Sequence, residues 1–144
     1  MKITNVSTYL MHAAPPGKGG WAARNWLFVK IETDEGIYGV GEASGWPRVV
    51  ETAIQDLTPL LIGEDPFNTE RLWGKMQVAM MGHGMTGIVG SGAMTGIEIA
   101  LWDLKGKALG LPVWNLLGGK VRDRIRVYAH AGTSARAREL VDRG

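Results

Sequence analysis

The sequence predicts an α+β fold in which strands come first, helices follow, and one further strand and helix come last. Residues 2–11 and 26–32 alternate polar and apolar side chains, which is the period of a half-buried strand. From residue 47 to residue 117, apolar residues recur at helical spacing instead. Near residue 125 the alternation returns. Strands grouped before helices are typical of α+β domains, and a strand followed by a helix is the first half of a βαβ unit.

The first three predicted strands cover residues 2–11, 26–32 and 37–42. Around Asn5 the alternation of the first strand slips by one position. Asp34-Glu35-Gly36 is a turn signal, and a tight glycine turn makes the two strands that it joins antiparallel neighbours. The long connection Ala13–Asn25 holds two prolines and three glycines. Long connections without regular structure are commonly functional, so this loop is a candidate part of a site.

Helices are predicted from apolar spacing together with start and stop signals. Pro47 suits the first turn of a helix that runs to about Leu61, and Pro59 should break that helix near Thr58. Asp65-Pro66 resembles a cap followed by a first helical residue, which predicts a second helix from there to about Met80.

The third predicted helix spans residues 90–109, and Gly110 and Pro112 end it. Its predicted buried stripe consists of Ala93, Ile97, Ala100, Leu101, Leu104 and Ala108. A single turn at 112–117 follows, then a strand over 125–130 and a helix over 135–143 that Ser134 would cap. Because a parallel strand needs a neighbouring strand, we expect the 144 residues to be the N-terminal part of a longer protein.

Composition excludes several classes of protein. There is no cysteine, which excludes thiolate metal sites and disulfide scaffolds and fits a cytoplasmic protein. The basic character lies in residues 120–144, which hold seven basic and three acidic residues, whereas residues 1–119 hold nine and eleven. This pattern lacks the clustered basic face of a nucleic-acid binder. Residues 76–97 carry no charge but hold six glycines, which indicates a packed helix rather than a membrane span.

Common cofactor motifs are absent or misplaced. The run Gly39–Gly45 superficially resembles a dinucleotide loop, but Glu42 would place a carboxylate beside the pyrophosphate, and no βαβ unit follows. No lysine stands in a phosphate-binding loop. His12, His83 and His130 lack the spacing of metal ligands.

One long segment carries a specific resemblance. It holds Glu98, the run Ala100-Leu-Trp-Asp103, the pair Gly106-Lys107, Pro112 and the run Leu116-Leu-Gly-Gly119, all at family-like intervals. The segment resembles the signature of the mandelate racemase/muconate lactonizing enzyme family of the enolase superfamily. The order of the other elements agrees along essentially the whole chain. Glu98 and Thr95 depart from the commoner residues, an aspartate and a smaller side chain.

The physical content of that segment is structural. Ala93, Gly96 and Ala100 lie on one helical face, so we expect another helix to approach closely there. Asp103 and Lys107 stand four residues apart and should form a stabilising ion pair.

The resemblance implies an enolase-like capping domain, with a three-stranded antiparallel sheet followed by a helical bundle. That domain would cover residues 1–122, and residues 123–144 would begin a modified TIM barrel with its first strand and helix. In the family, barrel carboxylates hold Mg²⁺, which stabilises the enediolate formed when a base removes the proton α to a carboxylate. Those groups would lie beyond Gly144, so no catalytic or metal-binding residue is assigned within the chain.

Substrate selection is the role that the resemblance leaves to this chain. In the family, two capping-domain loops close over the barrel mouth, and they correspond here to Ala13–Asn25 and Ser44–Pro47. Lids of this kind exclude water and position the substrate. The predicted substrate-binding residues are Trp21, Arg24, Trp46 and His83, with Lys18 as a further candidate. The alternative is that each is an exposed loop residue or contacts the barrel.

The resemblance implies an Mg²⁺-dependent acid-sugar dehydratase, since the motif details look closer to that group and to mandelate racemase than to the cycloisomerases. The expected partners are a small-molecule carboxylate substrate, a sugar acid, and further copies of the chain in a homo-oligomer. Neither nucleic acid nor membrane is expected. The alternatives are a racemase or cycloisomerase of the same family, or a noncatalytic binding or interaction module. The 144-residue chain alone is expected to be inactive.

Overall fold

A computed structural model describes residues 1–12, 25–82, 87–128 and 131–143. Three strands precede the helices, as the sequence predicts. The strands are β1 (Ile3–His12), β2 (Asn25–Thr33) and β3 (Tyr38–Ala43). The α-helices are α1 (Pro47–Leu57), α2 (Thr69–Gly82), α3 (Ile88–Leu109), α4 (Val113–Leu116) and α5 (Ser134–Asp142), and Thr58–Leu60 forms a 3₁₀ turn. The α+β prediction is confirmed.

The sheet is antiparallel throughout, in the order β1-β2-β3. Alternate residues of the central strand, Leu27, Val29 and Ile31, are fully buried because they face the helices. The register of β1 against β2 shifts between Ile3 and Asn5, which confirms the predicted slip. The slip is therefore a bulge near the start of the strand.

The core lies between one face of the sheet and helices α1, α2 and α3. The helical side supplies fully buried side chains that include Val50, Ile54, Leu57, Leu61, Leu72, Met76, Ile97, Leu101 and Leu104. Of the stripe predicted for α3, all are buried except Ala108, which is partly exposed. No helix within the described ranges is long and apolar enough to cross a membrane.

The small-residue face of α3 packs against a strand and not against another helix, which corrects the prediction. A Cβ atom added to Gly96 would lie 2.7 Å from the Cβ of Ala43 in β3. A Cβ added to Gly41 of β3 would lie 2.8 Å from the Ala100 nitrogen and closer still to the Gly96 carbonyl oxygen. Glycine is needed on both elements because their backbones nearly touch.

The ends of α1 and α3 follow the predicted signals. Helix α1 gives way to the 3₁₀ turn at Thr58, one residue before Pro59, as expected for a proline that cannot continue an α-helix. Helix α3 ends at Gly110, which adopts the left-handed conformation with φ of 64°, and the Leu111 N–H closes the last turn on the Gly106 carbonyl.

The start of α2 differs from the prediction by three residues. The Asp65 carboxylate accepts a hydrogen bond from the Phe67 N–H at 3.0 Å, and its carbonyl accepts one from the Asn68 N–H at 3.1 Å. Asp65 therefore organises a turn, and the helix begins afterwards at Thr69.

Of the strand and the helix predicted after residue 124, the described residues form only the helix. Helix α5 is present, but its N-cap is Thr133, whose hydroxyl accepts from the Arg136 N–H at 3.2 Å, and not Ser134. The predicted strand at 125–130 does not form over residues 125–128, where Ile125 and Val127 are largely exposed. Residues 129–130 lie outside the described residues. A strand without a neighbour has no ladder of hydrogen bonds to hold it. The domain boundary at residue 122 stays a prediction.

Candidate functional site

The topology brings the flanks of the two predicted lid loops to the same end of the sheet. His12, the last residue of β1, pairs with Asn25, the first residue of β2. Ala43, the last residue of β3, pairs with Leu27 two residues further along β2. Both loops therefore leave the sheet from one edge of the domain. We call this edge the loop end.

The base of the first loop is held by a side-chain hydrogen bond. The His12 imidazole donates from Nδ1 to Oδ1 of Asn25 at 2.6 Å. Since the two residues are also register partners in the sheet, the points where the chain leaves β1 and enters β2 are fixed relative to each other. The contact therefore fixes the distance between the two ends of the first loop.

The second loop is a short turn that exposes a tryptophan. Gly45 has φ of 113°, in the left-handed region that glycine tolerates. The next residue, Trp46, is the N-cap of α1, and its carbonyl accepts from the N–H groups of Val49 and Val50. Its side chain is 73% exposed, which is unusual for a tryptophan in a domain of this size. The turn thus presents a large apolar surface at the loop end.

The start of α3 lies beside this turn. A Cβ atom added to Gly92 would overlap the carbonyl oxygen of Ser44, and one added to Gly45 would lie 3.8 Å from the Ile88 carbonyl oxygen. Helix α2 ends at Gly82 and α3 begins at Ile88. The flank of the α2–α3 connection at Ile88 therefore lies near the loop end. His83 belongs to that connection.

Of the predicted substrate-binding residues, the structure places Trp46 at the loop end. Trp21, Arg24 and His83, together with Lys18, lie outside the described residues, so their roles stay predictions. The flanks of the first loop, the second loop itself and the start of α3 do lie at one end of the domain.

Sequence reasoning missed two apolar neighbours of this turn. Val49 in the first turn of α1 is 49% exposed, and Ile88 at the start of α3 is 71% exposed. The sequence analysis predicts Val49 only as a helix position and leaves Ile88 before the predicted start of the third helix. A signal was available, because an apolar residue in the first turn of a helix next to a suspected loop lies at the edge of the core rather than within it.

Glu51 is held by a contact that the sequence did not suggest. Its carboxylate accepts a partly buried hydrogen bond from the Thr8 hydroxyl at 2.7 Å. The bond ties the second turn of α1 to β1, so it anchors the helix that begins at Trp46.

Among the described residues, the loop end does not hold a cluster of side chains that could bind a metal ion. Within those residues, no group of three or more histidine, aspartate or glutamate side chains is placed to hold a metal ion. The carboxyl groups with shifted pKa values lie elsewhere. A hydrogen bond from Lys75 lowers the pKa of Glu64, and hydrogen bonds from Lys30 and Asn5 lower that of Glu32. What the loop end can supply is shape, apolar contact and the anchoring of loops.

Comparison with known proteins gives a consistent assignment. The family model described as "Mandelate racemase / muconate lactonizing enzyme, N-terminal domain" matches residues 12–118. Over 134 residues, the chain is 46% identical to a D-galactonate dehydratase of Verminephrobacter eiseniae, covering 92% of this chain and 32% of that protein. The chain thus spans about a third of the length of the curated relatives that it matches.

Solved structures agree. The 3,6-anhydro-D-galactonate cycloisomerase of Zobellia galactanivorans matches with a TM-score of 0.73 and 36% identity, over 83% of this chain and 32% of that one. An isomerase of Streptomyces coelicolor A3(2) matches with a TM-score of 0.72 and 32% identity, over 85% and 32% of the two chains. The family model covers well over half of the chain, and the sheet, the helices and their order are those expected of the capping domain. The chain belongs to the mandelate racemase/muconate lactonizing enzyme family, of whose N-terminal domain it forms an example.

Proposed function

We propose that this chain is the substrate-selecting part of a cytoplasmic, homo-oligomeric and Mg²⁺-dependent sugar-acid dehydratase. The observation that carries the proposal is the convergence of the first loop's flanks, the second loop and the start of α3 at the loop end, with the exposed Trp46 among them. The resemblance of the chain to relatives named D-galactonate dehydratase supports a sugar acid as the substrate class. The proposed division places the capping domain in residues 1–122 and the start of a barrel in residues 123–144.

In this proposal the loop end selects substrate and the chemistry takes place on groups outside the described residues. Mg²⁺, where bound, supplies Lewis-acid stabilisation of the charge that develops on the substrate carboxylate. The described residues do not fit a metal site, so no step through the metal is assigned to them.

The contribution of the described residues is apolar cover and anchoring. A closed lid raises the strength of electrostatic interactions beneath it because it excludes water. Trp46, with Val49 and Ile88 beside its turn, offers an apolar surface suited to that task. Arg24 would add a charge-assisted hydrogen bond to an anionic substrate.

A second reaction of the same family is favoured by one observation. The structural match to a 3,6-anhydro-D-galactonate cycloisomerase, at 36% identity, is of the same quality as the match to other family members. A racemase or cycloisomerase would use the same loop end in the same way, because substrate selection and water exclusion are common to these reactions.

The test measures kinetics and stability together in the longer enzyme of which we propose that this chain is part. Arg24→Ala should lower kcat/KM for a sugar acid such as D-galactonate by more than about tenfold, because a charge-assisted hydrogen bond is worth roughly 1.5–3 kcal/mol. Trp46→Ala should lower kcat/KM as well, because the site loses apolar cover that excludes water. The free energy of unfolding should change by less than about 0.5 kcal/mol, as is usual for exposed positions. Trp21→Ala and His83→Ala belong in the same series.

A matched control lies at the opposite end of the domain. Ile62 is 45% exposed, and the neighbouring Gly63 N–H bonds to the Ile3 carbonyl at the far end of β1. Ile62→Ala should leave kcat/KM unchanged. The proposal for the loop end fails if Trp46→Ala and Arg24→Ala leave kcat/KM unaltered toward a panel of sugar acids. The choice of reaction is settled by whether the product is a dehydrated acid or an isomer.

A further inference from the structure

Trp46 is a rigid part of α1. Its carbonyl accepts hydrogen bonds from the N–H groups of Val49 and Val50 at 3.0 and 2.9 Å, which fixes it to the first turn of the helix. The loop before it rests on the same helix, since a Cβ atom added to Gly45 would lie 3.2 Å from a methyl carbon of Val50. The position of Trp46 at the loop end is therefore set by the position of α1.

Helix α1 is held on two sides by contacts of different kinds. On the side of α3 the contact is close packing, because a Cβ atom added to Gly92 would lie 3.6 Å from a methyl carbon of Val50. On the side of β1 the contact is the hydrogen bond from the Thr8 hydroxyl to the Glu51 carboxylate, at 2.7 Å. A hydrogen bond has a preferred direction as well as a preferred length. It therefore limits rotation of the helix about its axis, which apolar packing alone does not.

The bond between Thr8 and Glu51 is suited to a lasting contact. Both residues are partly buried, so water competes for their polar atoms less than at an exposed site. An ionised carboxylate also forms shorter and stronger hydrogen bonds than a neutral acceptor does. Because 43 positions separate the two residues in the sequence, the bond links two distant elements and is not a local cap.

The strand that carries Thr8 also leads to the base of the first loop. Thr8, Leu10 and His12 share one side of β1 by alternation, and Leu10 packs against the core. His12 lies four residues beyond Thr8, which is roughly 13 Å along a strand, and bonds to Asn25 at the start of β2. A shift of α1 relative to Thr8 would thus change the distance between Trp46 and the base of the first loop.

We propose that Glu51 is a positioning residue for substrate selection: its hydrogen bond with Thr8 holds the start of α1, so that Trp46 keeps a fixed distance from the base of the first loop. The inference rests on the function proposed for the loop end, in which Trp46 covers the substrate. It assigns Glu51 no contact with substrate. The Glu51 carboxylate is bonded within the domain, and it would repel the carboxylate of a sugar acid.

Two other roles for the same bond predict different results. If the bond only stabilises the fold, its loss lowers the free energy of unfolding and leaves the kinetics of the folded enzyme unchanged. If Glu51 instead binds a substrate hydroxyl, the loss of its carboxylate should matter much more than the loss of the Thr8 hydroxyl. A positioning role predicts that both partners matter equally. It also predicts that the effect disappears when Trp46 is absent, because the two changes then act on one unit.

The kinetic test uses the longer enzyme. Thr8→Val keeps the shape of the side chain but removes the hydroxyl, and it should lower kcat/KM for D-galactonate about three- to tenfold, because small misplacements at a site are costly. Glu51→Ala should have the same effect. Thr8→Ser keeps the hydroxyl and should restore kcat/KM to near the wild-type value. Thr8→Val combined with Trp46→Ala should have the kcat/KM of Trp46→Ala alone.

A fluorine NMR signal reports the position of Trp46 without reference to activity. In enzyme labelled with 5-fluorotryptophan, the resonance of Trp46 is the one that Trp46→Ala removes. It should shift or broaden in Thr8→Val and stay at the wild-type position in Thr8→Ser.

Thr52→Val is the matched control for both measurements. The Thr52 hydroxyl donates to the Arg48 carbonyl at 3.2 Å, within α1 itself. Its loss removes a threonine hydroxyl from the residue next to Glu51 without releasing the helix from β1, so kcat/KM and the Trp46 resonance should both stay unchanged. Urea unfolding of every variant establishes that it is folded.

Unchanged kcat/KM in Thr8→Val and Glu51→Ala overturns the inference, and so does an equal loss in Thr52→Val. Effects of Thr8→Val and Trp46→Ala that multiply in the double variant also overturn it, since the bond then does not act through Trp46. If Trp46→Ala leaves kcat/KM unaltered, Trp46 has no part in selection and the inference falls. The effect of Arg24→Ala then shows whether the proposed function of the loop end falls with it.

Discussion

At the scale of single residues, glycines decide how closely β3 can approach α3. Gly41 faces the backbone of α3, where an added Cβ atom would meet the Ala100 nitrogen at 2.8 Å. Gly39 is in the same position one helical turn further on, with the Leu104 nitrogen at 2.6 Å. Backbone atoms in a helix cannot move aside as the end of a flexible side chain can. These two positions therefore tolerate only glycine without a shift of the whole strand.

Gly41→Ala should destabilise the domain by about 3 kcal/mol, because the added methyl group meets helix backbone that cannot move aside. This value is at the upper end of the usual range for an overpacked core. Gly74→Ala is the matched control. Nothing lies within 4 Å of a Cβ added to Gly74 inside α2, so this change should stabilise the domain by up to about 1 kcal/mol through helix propensity. Urea unfolding followed by circular dichroism measures both. A Gly41→Ala midpoint equal to or above that of wild type would refute the close approach.

At the scale of elements, Asp103 connects α3 to the free edge of β3. One carboxylate oxygen accepts both the Val40 N–H at 2.8 Å and the Lys107 ammonium at 2.6 Å. The predicted ion pair of Asp103 and Lys107 is confirmed. The Asp103 carboxylate also accepts the Val40 N–H, a backbone donor that the edge strand would otherwise leave to solvent.

Asp103→Ala should lower the free energy of unfolding by roughly 1 kcal/mol, the typical contribution of a hydrogen bond that water can partly replace. The amide hydrogen of Val40 should exchange faster in the same variant. Lys107→Met separates the two contacts, because it removes the ion pair and keeps the bond to Val40; its effect should stay within about 0.5 kcal/mol. If hydrogen exchange at Val40 is the same in Asp103→Ala and wild type, the edge contact does not hold in solution.

The stability that the Glu64–Lys75 hydrogen bond contributes, between the 3₁₀ turn and α2, should depend on pH. The Lys75 ammonium donates to the Glu64 carboxylate at 2.6 Å, and this hydrogen bond lowers the pKa of Glu64 in the folded protein. A group whose folded pKa is lowered adds stability above its unfolded pKa of about 4.3 and loses it as pH falls through the folded value.

Glu64→Gln should therefore be less stable than wild type at pH 7, and the difference should narrow as pH falls below about 4. Urea midpoints of both proteins across the acid range measure the difference. A gap between the two proteins that stays constant or widens toward low pH would show that the hydrogen bond from Lys75 does not stabilise the charged form of Glu64.

At the scale of the whole molecule, the described residues form a core and a loop end but no acid–base or metal cluster. We therefore expect the 144-residue chain alone to show no dehydration of D-galactonate. Millimolar Mg²⁺ should leave its Tm unchanged, because only a ligand that binds the native state stabilises it. Thermal unfolding with and without Mg²⁺, together with a turnover assay, tests this expectation. A magnesium-dependent shift of several degrees would place a metal site within this chain.

Local signals were sufficient for most of the elements. The three strands of the sheet, the bulge near Asn5, the break at Thr58 and the end of α3 at Gly110 each follow from residues within a few positions of the feature. The start of α2 could not be read in this way. Asp65 can cap a helix or organise a turn, and the turn is held from outside, since Lys105 of α3 donates to the Phe67 carbonyl at 3.3 Å and lies over its ring.

The sequence predicts which loops form the candidate site, but it predicts only some of the residues that lie there. The sequence predicts the loops from their prolines and glycines and from the family resemblance. Trp46 is exposed at the start of α1, and its role in binding stays a prediction. Val49 and Ile88 were missed because their exposure depends on how three elements meet. Trp21, Arg24 and His83 remain predictions from the sequence.

The sequence by itself determined the order and type of the elements, because hydrophobic period, caps and turn residues act over a few neighbouring positions. Only the tertiary structure decided which surfaces meet. The small residues of α3 were predicted to pack against a helix, but they pack against β3. A face of small residues determines how closely a partner can approach, but it does not determine whether that partner is a helix or a strand. The tertiary structure likewise left 125–128 without strand pairing, because alternation makes a strand possible and only a neighbouring strand makes it stable.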